Sequence, residues 1–349
     1  MTVGGCWHGD RGLDGWSNLE FTTGGRTEWC GVPVGGRIAN RRVQVEDPLR
    51  PDGRASGVHH RRCVAALIGL HHAATGQLAE WCGHDASSMA GRVLTPLWER
   101  GVLRRARVEG AVRSEFVWAV NYNGHWLHDW LMWMTPEQRF EVTAGQPLVR
   151  TAPTLEWSVR HNVWVAELGL RTARVAGVAA VAGERFCRVR RVIPTAGDLE
   201  DRAADMVMVR GDGQVIVVEA VRSVDGMTRK AAWWASVLGR VESPPVVVFV
   251  AVSTDTPRVR ELRGAFRKAV GSGSMRERRR MVWVEWAEWF DDQAATDRFA
   301  VWSGRRLTSS GEWASVDVLD PTALPLLGAG RGEVADRLRR VGQHPVRKG

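Results

Sequence analysis

Two carboxylates and a lysine are the residues of this sequence best suited to chemistry. Asp205 begins the apolar run DMVMVR, Glu219 ends the run QVIVVE, and a Gly-Asp-Gly turn joins the two runs. A tight turn between paired strands brings residues 14 positions apart to one end of a hairpin. Two carboxylates held together can bind Mg²⁺, and Lys230 on the next predicted helix can reach back to stabilise charge at a phosphate. The pattern therefore predicts either the metal-binding hairpin of a nuclease, with Asp205, Glu219 and Lys230 as catalytic residues, or a hairpin without a catalytic role.

The same residues also have structural interpretations. Asp205 can begin a strand and accept a hydrogen bond from a turn amide. Glu219 ends an apolar run, where a carboxylate needs a partner or water, and either Arg222 or Lys230 can supply an ion pair. His161 can serve as a general base, but a histidine on a helix more often packs in the core or lies on the surface. Both interpretations stay open at this stage.

The elements around the hairpin predict a mixed α/β domain over residues 154–305. A helix at 154–174 and a strand around 184–193 precede the hairpin, and a helix at 225–240 follows it. The run PVVVFVAV is continuously apolar, which indicates a strand buried on both faces. A basic helix and the strand MVWVEW complete the pattern. The basic residues of 258–280 form either a phosphate-contacting face or a solvated helix.

Residues 57–121 predict a winged helix-turn-helix, because three short helices are followed by a basic hairpin. The third helix begins near Asp85, and Pro96 within it is expected to introduce a kink. We expect this domain to bind double-stranded DNA through the third helix in the major groove and the hairpin on phosphates. The candidate DNA-binding residues are Ser87, Ser88 and Arg92 on the helix, and Arg104, Arg105, Arg107 and Arg113 on the hairpin. A solvated basic surface on a protein-interaction domain is the alternative.

The remaining segments carry weaker patterns. Residues 1–56 are rich in Gly and Arg and are expected to be a disordered or low-complexity extension. Residues 122–153 predict a linking helix followed by an interdomain linker, and residues 306–349 an irregular basic C-terminal segment. Histidines and cysteines between residues 59 and 84 match no zinc spacing, and Cys63 and Cys82 fall on helix faces expected to be buried.

The composition favours a soluble protein with a polyanionic partner. A net charge of +9 favours nucleic acid, although a high-GC genome also enriches arginine. No run of 18 apolar residues predicts a membrane span, and the N-terminus lacks a secretory pattern. Five cysteines without CxxC spacing favour a reducing compartment. We therefore expect a cytoplasmic protein with no membrane partner.

The order of helix, strand, carboxylate hairpin, helix and strand resembles the PD-(D/E)xK restriction-endonuclease-like core. In those nucleases an Asp and a Glu on the hairpin hold Mg²⁺, and a Lys follows the Glu by two residues. Val221 occupies that lysine position here, and Ala204 stands where the proline precedes the aspartate. Arg222 is one place late, so strand alternation points it to the other face. The resemblance implies Lys230 as a migrated lysine.

The whole pattern over residues 57–300 resembles the replication-relaxation family of actinobacterial plasmids, phages and integrative elements. The resemblance rests on the winged helix, the linker, His161 near the start of the second domain, the carboxylate hairpin, and Lys230 followed by an aromatic residue. It implies DNA binding in plasmid replication or mobilisation, with replication or relaxase proteins as partners. Val221 stands where the family commonly has a second acidic residue, which argues against cleavage.

The sequence thus predicts a DNA-binding protein with a nuclease-like domain that lacks the full catalytic apparatus. One alternative is an active nuclease that nicks or cleaves DNA, for which Mg²⁺ would be the cofactor. The other is a non-catalytic transcriptional repressor or replication-complex scaffold.

Overall fold

The computed structural model describes residues 22–23, 55–107, 116–122, 125–145, 157–193, 200–252, 256–285, 303–328, 332–340 and 345. The chain divides into two compact units, one of residues 1–170 with 340–349 and the other of residues 171–339. Within these described ranges, no helix combines the length and the apolar character needed to cross a lipid bilayer.

The first unit combines short helices with a small antiparallel sheet. Its helices are α1 (Ala55–Leu70), α2 (Thr75–Cys82), α3 (Ala86–Met89), α4 (Thr95–Glu99), α5 (His125–Met132), α6 (Pro136–Thr143) and α7 (Trp157–Ala173), the last three residues of which belong to the second unit. Its strands are β1 (Thr22–Thr23), β2 (His72–Ala74), β3 (Leu103–Arg107) and β4 (Phe116–Val120), in the order β1-β3-β4-β2. The apolar positions of α1 and of the α3–α4 stretch are buried, so the helices cover a core that includes one face of this sheet.

The helix that carries Pro96 continues through a π-helical turn. Asp85 caps α3 by accepting a hydrogen bond from the Ser88 amide over 2.8 Å. The turn Ala90–Leu94 then joins α3 to α4, and Pro96 lies in the first turn of α4. Proline is tolerated at the start of a helix because its missing N–H has no partner to lose there. The kink expected at Pro96 is therefore accommodated by a change of helical register before it.

The segment predicted as a linker contains a helix. The Thr135 hydroxyl caps α6 by accepting from the Gln138 amide, and the Thr135 amide donates to the side-chain oxygen of Gln138, which is a capping box. Arg61 of α1 donates to Glu141 of α6 over 3.1 Å. Residues 136–143 therefore pack on the first unit, and the rest of the predicted linker, 146–153, lies outside the described residues.

Helix α7 was predicted to open the second domain, but most of it packs in the first unit. The buried side chain of Gln77 donates to the Val163 carbonyl over 2.9 Å, and Asn162 is hydrogen-bonded to His72 over 2.9 Å. Both contacts anchor α7 to the strand and helix at residues 72–82. The boundary between the units consequently falls at residues 170–171.

The second unit is built on a mixed sheet of seven strands, which confirms the predicted mixture of helices with a mixed sheet. The strands are β5 (Val178–Gly183), β6 (Met206–Arg210), β7 (Val215–Val221), β8 (Val246–Ala251), β9 (Met281–Glu285), β10 (Ser303–Leu307) and β11 (Trp313–Asp317), ordered β11-β10-β9-β8-β7-β6-β5. The helices are α8 (Val189–Val192), α9 (Val224–Arg240), α10 (Thr256–Gly271), α11 (Met275–Arg280) and α12 (Gly332–Arg340). Strands β7, β8 and β9 are parallel, and the others pair antiparallel.

The central strands read as continuous apolar runs because helices cover them. All six residues of β8 are buried, as predicted for the run PVVVFVAV. Helices α9 and α10 are the crossovers from β7 to β8 and from β8 to β9, and they pack against each other. Parallel strands need such crossovers, which place apolar helix faces on the sheet.

Two sequence predictions in this unit were wrong. The strand expected around 184–193 is a 3₁₀ turn at Glu184–Phe186 followed by α8, and the true strand β5 lies just before it. The C-terminal segment expected to be irregular from 306 contains the last two residues of β10, all of β11, and α12. Strand β10 forms because it pairs with β9, and this pairing between distant segments leaves no local pattern in the sequence.

Candidate carboxylate and lysine site

The β6–β7 hairpin carries Asp205 and Glu219 to the same end. The turn at residues 211–213 closes with a hydrogen bond from the Arg210 amide to the Gln214 carbonyl, and Gly213 takes a φ of 87° that favours glycine. Met206 pairs with Val218, so Asp205 lies one residue beyond the ladder, opposite Glu219. Asp205 Oδ2 accepts a hydrogen bond from the Ala220 amide over 2.7 Å. The hairpin register alone therefore fixes the two carboxylates beside each other.

Helix α9 supplies the other two side chains of the site. Ser223 caps the helix by accepting from the Gly226 amide. Lys230 and Trp234 lie four residues apart on the face that covers β7, so both reach the same carboxylates. The Nζ atom of Lys230 lies 2.6 Å from Asp205 Oδ2 and also forms an ion pair with Glu219 Oε2. The indole nitrogen of Trp234 donates to Glu219 Oε1 over 2.7 Å.

The three charged groups differ in their exposure to water. The side chain of Glu219 is 4% exposed, that of Asp205 12% and that of Lys230 34%. Burial raises the pKa of Glu219, and the Lys230 ammonium opposes that effect. Burial also disfavours the ammonium form of Lys230, but the charges of Asp205 and Glu219 outweigh it and raise the pKa of the lysine. Lys230 therefore remains charged and neutralises part of the negative charge of the pair.

The arrangement has a direct consequence for metal binding. Lys230 contacts one oxygen of each carboxylate, and Trp234 contacts the second oxygen of Glu219. A divalent cation held by both carboxylates needs the point where their oxygens converge, and the ammonium of Lys230 lies there. The residues as arranged fit a lysine cation and do not fit Mg²⁺. Across the described ranges, no group of three or more His, Cys, Asp or Glu side chains is arranged to hold a metal ion.

The two residues considered at and after the lysine position of the resemblance, Val221 and Arg222, lie at the end of β7 and just beyond it. Val221, at the position where the resemblance places a lysine, is 2% exposed and packs in the core. Arg222 is exposed, and its carbonyl accepts hydrogen bonds from Arg258. Of the two ion-pair partners considered for Glu219 from the sequence, Lys230 is the one in contact.

The candidate DNA-binding residues of the third helix lie at its start. Ser87 is exposed and donates to Asp85 over 2.7 Å, and Ser88 is half-buried in the same cap. Arg92 is exposed on the π-helical turn. These polar groups lie opposite the buried positions Met89 and Val93.

The candidate residues of the hairpin are not equivalent. Arg107 is exposed at the end of β3. The guanidinium of Arg105 stacks 3.6 Å from the centre of the Trp98 ring and 4.5 Å from that of Phe116. Arg104 is half-buried, and burial lowers its pKa. Arg113 lies outside the described residues.

The histidines singled out from the sequence lie in the first unit. His161 is half-buried on α7. His59 and His84 contact each other through Nδ1 and Nε2 over 2.6 Å, while Cys63 and Cys82 are buried, as predicted. Burial raises the pKa of both thiols, so both remain protonated near neutral pH.

Sequence reasoning missed the role of Trp234. The aromatic residue after Lys230 was noted, but its contact with Glu219 was not predicted. The signal was available, because Met227, Lys230 and Trp234 follow one helical face at spacings of three and four residues.

Searches with family models, with curated proteins and with solved structures found no match for this chain.

Proposed function

We propose that this chain is a DNA-binding protein of a plasmid or other mobile element, acting in replication or mobilisation. In this proposal the first unit is a winged helix-turn-helix and the second a nuclease-like unit. The observation that carries it is the order α1, β2, α2, α3–α4, β3, β4 with exposed arginines at the two places that meet DNA in such domains. The resemblance to the replication-relaxation family supports the same function.

The first unit offers cations where a duplex would dock. Arg92 is exposed on the helix that would enter the major groove, and Arg107 is exposed at the end of β3, next to the loop of the hairpin that would form the wing. Ser87 beside the helix cap adds a hydroxyl of the kind that contacts phosphate oxygens. Such contacts depend on counterion release, so affinity should fall steeply with salt.

The second unit supports a nuclease-like ancestry without a working metal site. The hairpin carboxylates and a lysine converge, as in a restriction-endonuclease-like core, but the ammonium of Lys230 lies between the carboxylates. We infer that the second unit binds rather than cuts.

The test is a fluorescence anisotropy titration of labelled duplex DNA over a range of salt concentrations. The variant Arg92→Ala/Arg107→Ala should bind at least tenfold more weakly than the wild type. Arg62→Ala, which removes an exposed arginine from α1, serves as a control for loss of charge. Unchanged affinity in the double variant would overturn the assignment of the first unit.

A metal-dependent nuclease is the second candidate, favoured by the meeting of Asp205, Glu219 and Lys230 at one point. Supercoiled plasmid is incubated with the protein, with and without Mg²⁺ or Mn²⁺, beside Glu219→Ala. The first candidate predicts a band shift with no nicked or linear product. Metal-dependent cleavage that the variant loses would replace it with the second.

A further inference from the structure

A basic segment folds back beside the carboxylate and lysine site. Residues 184–193 lie against residues 200–204 through hydrogen bonds from the Val189 amide to the Arg202 carbonyl and from the Ala204 amide to the Cys187 carbonyl. Arg188 also pairs with Ala203 in an isolated antiparallel bridge. The segment predicted as a strand thus becomes a short basic helix held next to the start of β6.

The side chains of this region carry more positive than negative charge. Residues 184–193 and 200–204 contain five arginines and three carboxylates. We define the arginine surface by Arg185, Arg188, Arg190, Arg191 and Arg202. Arg188 and Arg202 are 49% and 48% exposed, and Arg190 is also exposed.

The arginines are close enough to repel one another. Burial lowers the pKa of Arg191, and the nearby charges of Arg337, Arg188 and Arg185 lower it further. Asp201 partly offsets this, since it accepts from the Arg188 side chain and from the Arg190 amide. A set of like charges held together at a cost in repulsion has a natural partner in a polyanion.

The arginine surface is joined to the site through two indoles. The guanidinium of Arg202 lies 5.4 Å from the centre of the Trp233 ring. Trp233 packs edge to face on Trp234, with ring centres 4.6 Å apart, and Trp234 donates to Glu219. Arg202 precedes Asp205 by three residues, which in extended chain is about 10 Å.

We propose that the arginine surface binds the phosphate backbone of a nucleic acid strand and places it across the carboxylate and lysine site. The proposal rests on the DNA-binding function above and adds a second contact surface on the second unit. Guanidinium groups match phosphate geometry, and about 10 Å along the axis of a DNA duplex spans roughly three phosphates of one strand, at about 3.4 Å each. The partner is thus a DNA duplex, one strand of which extends past the end of the β6–β7 hairpin.

The experiment measures how the affinity of the full chain for labelled DNA depends on salt. The test variant replaces Arg188, Arg190 and Arg202 with Gln. The control replaces three exposed cations outside the candidate phosphate-contacting regions, Arg62, Arg240 and Arg340, with Gln. If all three test arginines contact phosphates, the slope of log affinity against log salt should become shallower by about 2.7, and the control should keep the wild-type slope.

A charge-preserving variant separates binding from folding. With Lys at positions 188, 190 and 202 the slope should stay near the wild-type value, because lysine also displaces counterions. Circular dichroism of each variant checks that the fold is retained. If the triple Gln variant does not fold, the single variants Arg188→Gln, Arg190→Gln and Arg202→Gln replace it. Each should make the slope shallower by about 0.9, and a wild-type slope in all three would overturn the proposal.

The outcomes distinguish this inference from the proposed function. A wild-type slope in the folded Gln variant, with a loss in Arg92→Ala/Arg107→Ala, overturns the inference and leaves the function standing. No DNA binding by the wild type overturns both. If the slope of log affinity against log salt became equally shallow in the test and control variants, binding would depend on the overall charge of the protein and not on the arginine surface. That result would overturn the inference. Competition by polyglutamate as strong as that by DNA of equal charge would indicate an acidic protein partner instead.

Discussion

The Nζ atom of Lys230 lies 2.6 Å from Oδ2 of Asp205, although the two residues are 25 positions apart and strands β6 and β7 lie between them in the chain. The same ammonium contacts Glu219, which is almost fully buried. One cation therefore stabilises two carboxylates that the hairpin forces together, and the stability of the second unit depends on it.

Replacement of Lys230 by Met should destabilise the protein. The change leaves two neighbouring carboxylates without their cation, and breaking a buried pair costs about 3–5 kcal/mol. Lys230 is partly exposed, so solvent screening reduces the expected loss in unfolding free energy to about 2 kcal/mol. Urea denaturation followed by circular dichroism measures it, with Lys268→Met on α10 as the matched control. A second change, Glu219→Gln, should recover part of the loss, and no recovery would argue against coupling of the two residues.

Stability should decrease in mild acid because of buried histidine. Burial lowers the pKa of His60 from 6.5 to about 4. The unfolded chain therefore binds a proton that the folded chain does not, and the contribution of His60 is complete above pH 6.5 and is lost as the pH falls toward 4. Relative to His60→Leu, the wild type should lose up to about 3 kcal/mol of unfolding free energy between pH 7 and pH 4, at about 1.4 kcal/mol per pH unit.

The measurement is a series of urea denaturation curves from pH 4 to pH 7.5. Replacement of the exposed, non-titrating Met132 by Leu should leave the pH profile of the wild type unchanged. If the unfolding free energy of the wild type and of His60→Leu varied with pH in the same way, folding would not change the pKa of His60 and the prediction would be wrong.

Two neighbouring arginines of β3 should behave differently when changed to Ala. Arg107 is exposed, so its loss should reduce the salt slope of DNA binding by about 0.9 and leave the melting temperature unchanged. Arg105 stacks on Trp98 and Phe116, so its loss should lower the unfolding free energy by about 1 kcal/mol. Anisotropy titrations and thermal melts of both variants test this contrast. The same stability loss in both would contradict the stacking role.

The buried Arg210 should hold a C-terminal segment in place. It forms a two-pronged ion pair with Asp212 and donates to the carbonyls of Val318 and Leu324. Arg210→Lys keeps the charge but loses the bidentate geometry of the guanidinium group. Amide hydrogen exchange at residues 318–324 should therefore become at least tenfold faster. Arg260→Lys, at an exposed position of α10, should leave exchange there unchanged. Unaltered exchange in the Arg210 variant would show that the segment is held by other contacts.

Local pattern in the sequence was sufficient for the carboxylate hairpin. The Gly-Asp-Gly turn sets a hairpin, and the register of two apolar runs then places Asp205 opposite Glu219. The burial of β8 followed equally from its continuous apolar run. These features depend on residues close in the chain, where turn chemistry and side-chain periodicity act directly.

Only the tertiary structure decided which groups complete the site. The sequence allowed either Arg222 or Lys230 to pair with Glu219, and the packing of α9 on β7 selected Lys230. Residues 184–193 were wrongly predicted as a strand, because the β-branched residues and arginines there are typical of an edge strand. In the structure β5, and not this segment, pairs with β6. Strand β10, which lies between β9 and β11, was missed for a similar reason, since its hydrogen bonds to β9 come from a partner about 20 residues away. Contacts between distant parts of the chain, rather than local propensity, set the charge balance of the site and the position of the arginine surface beside it.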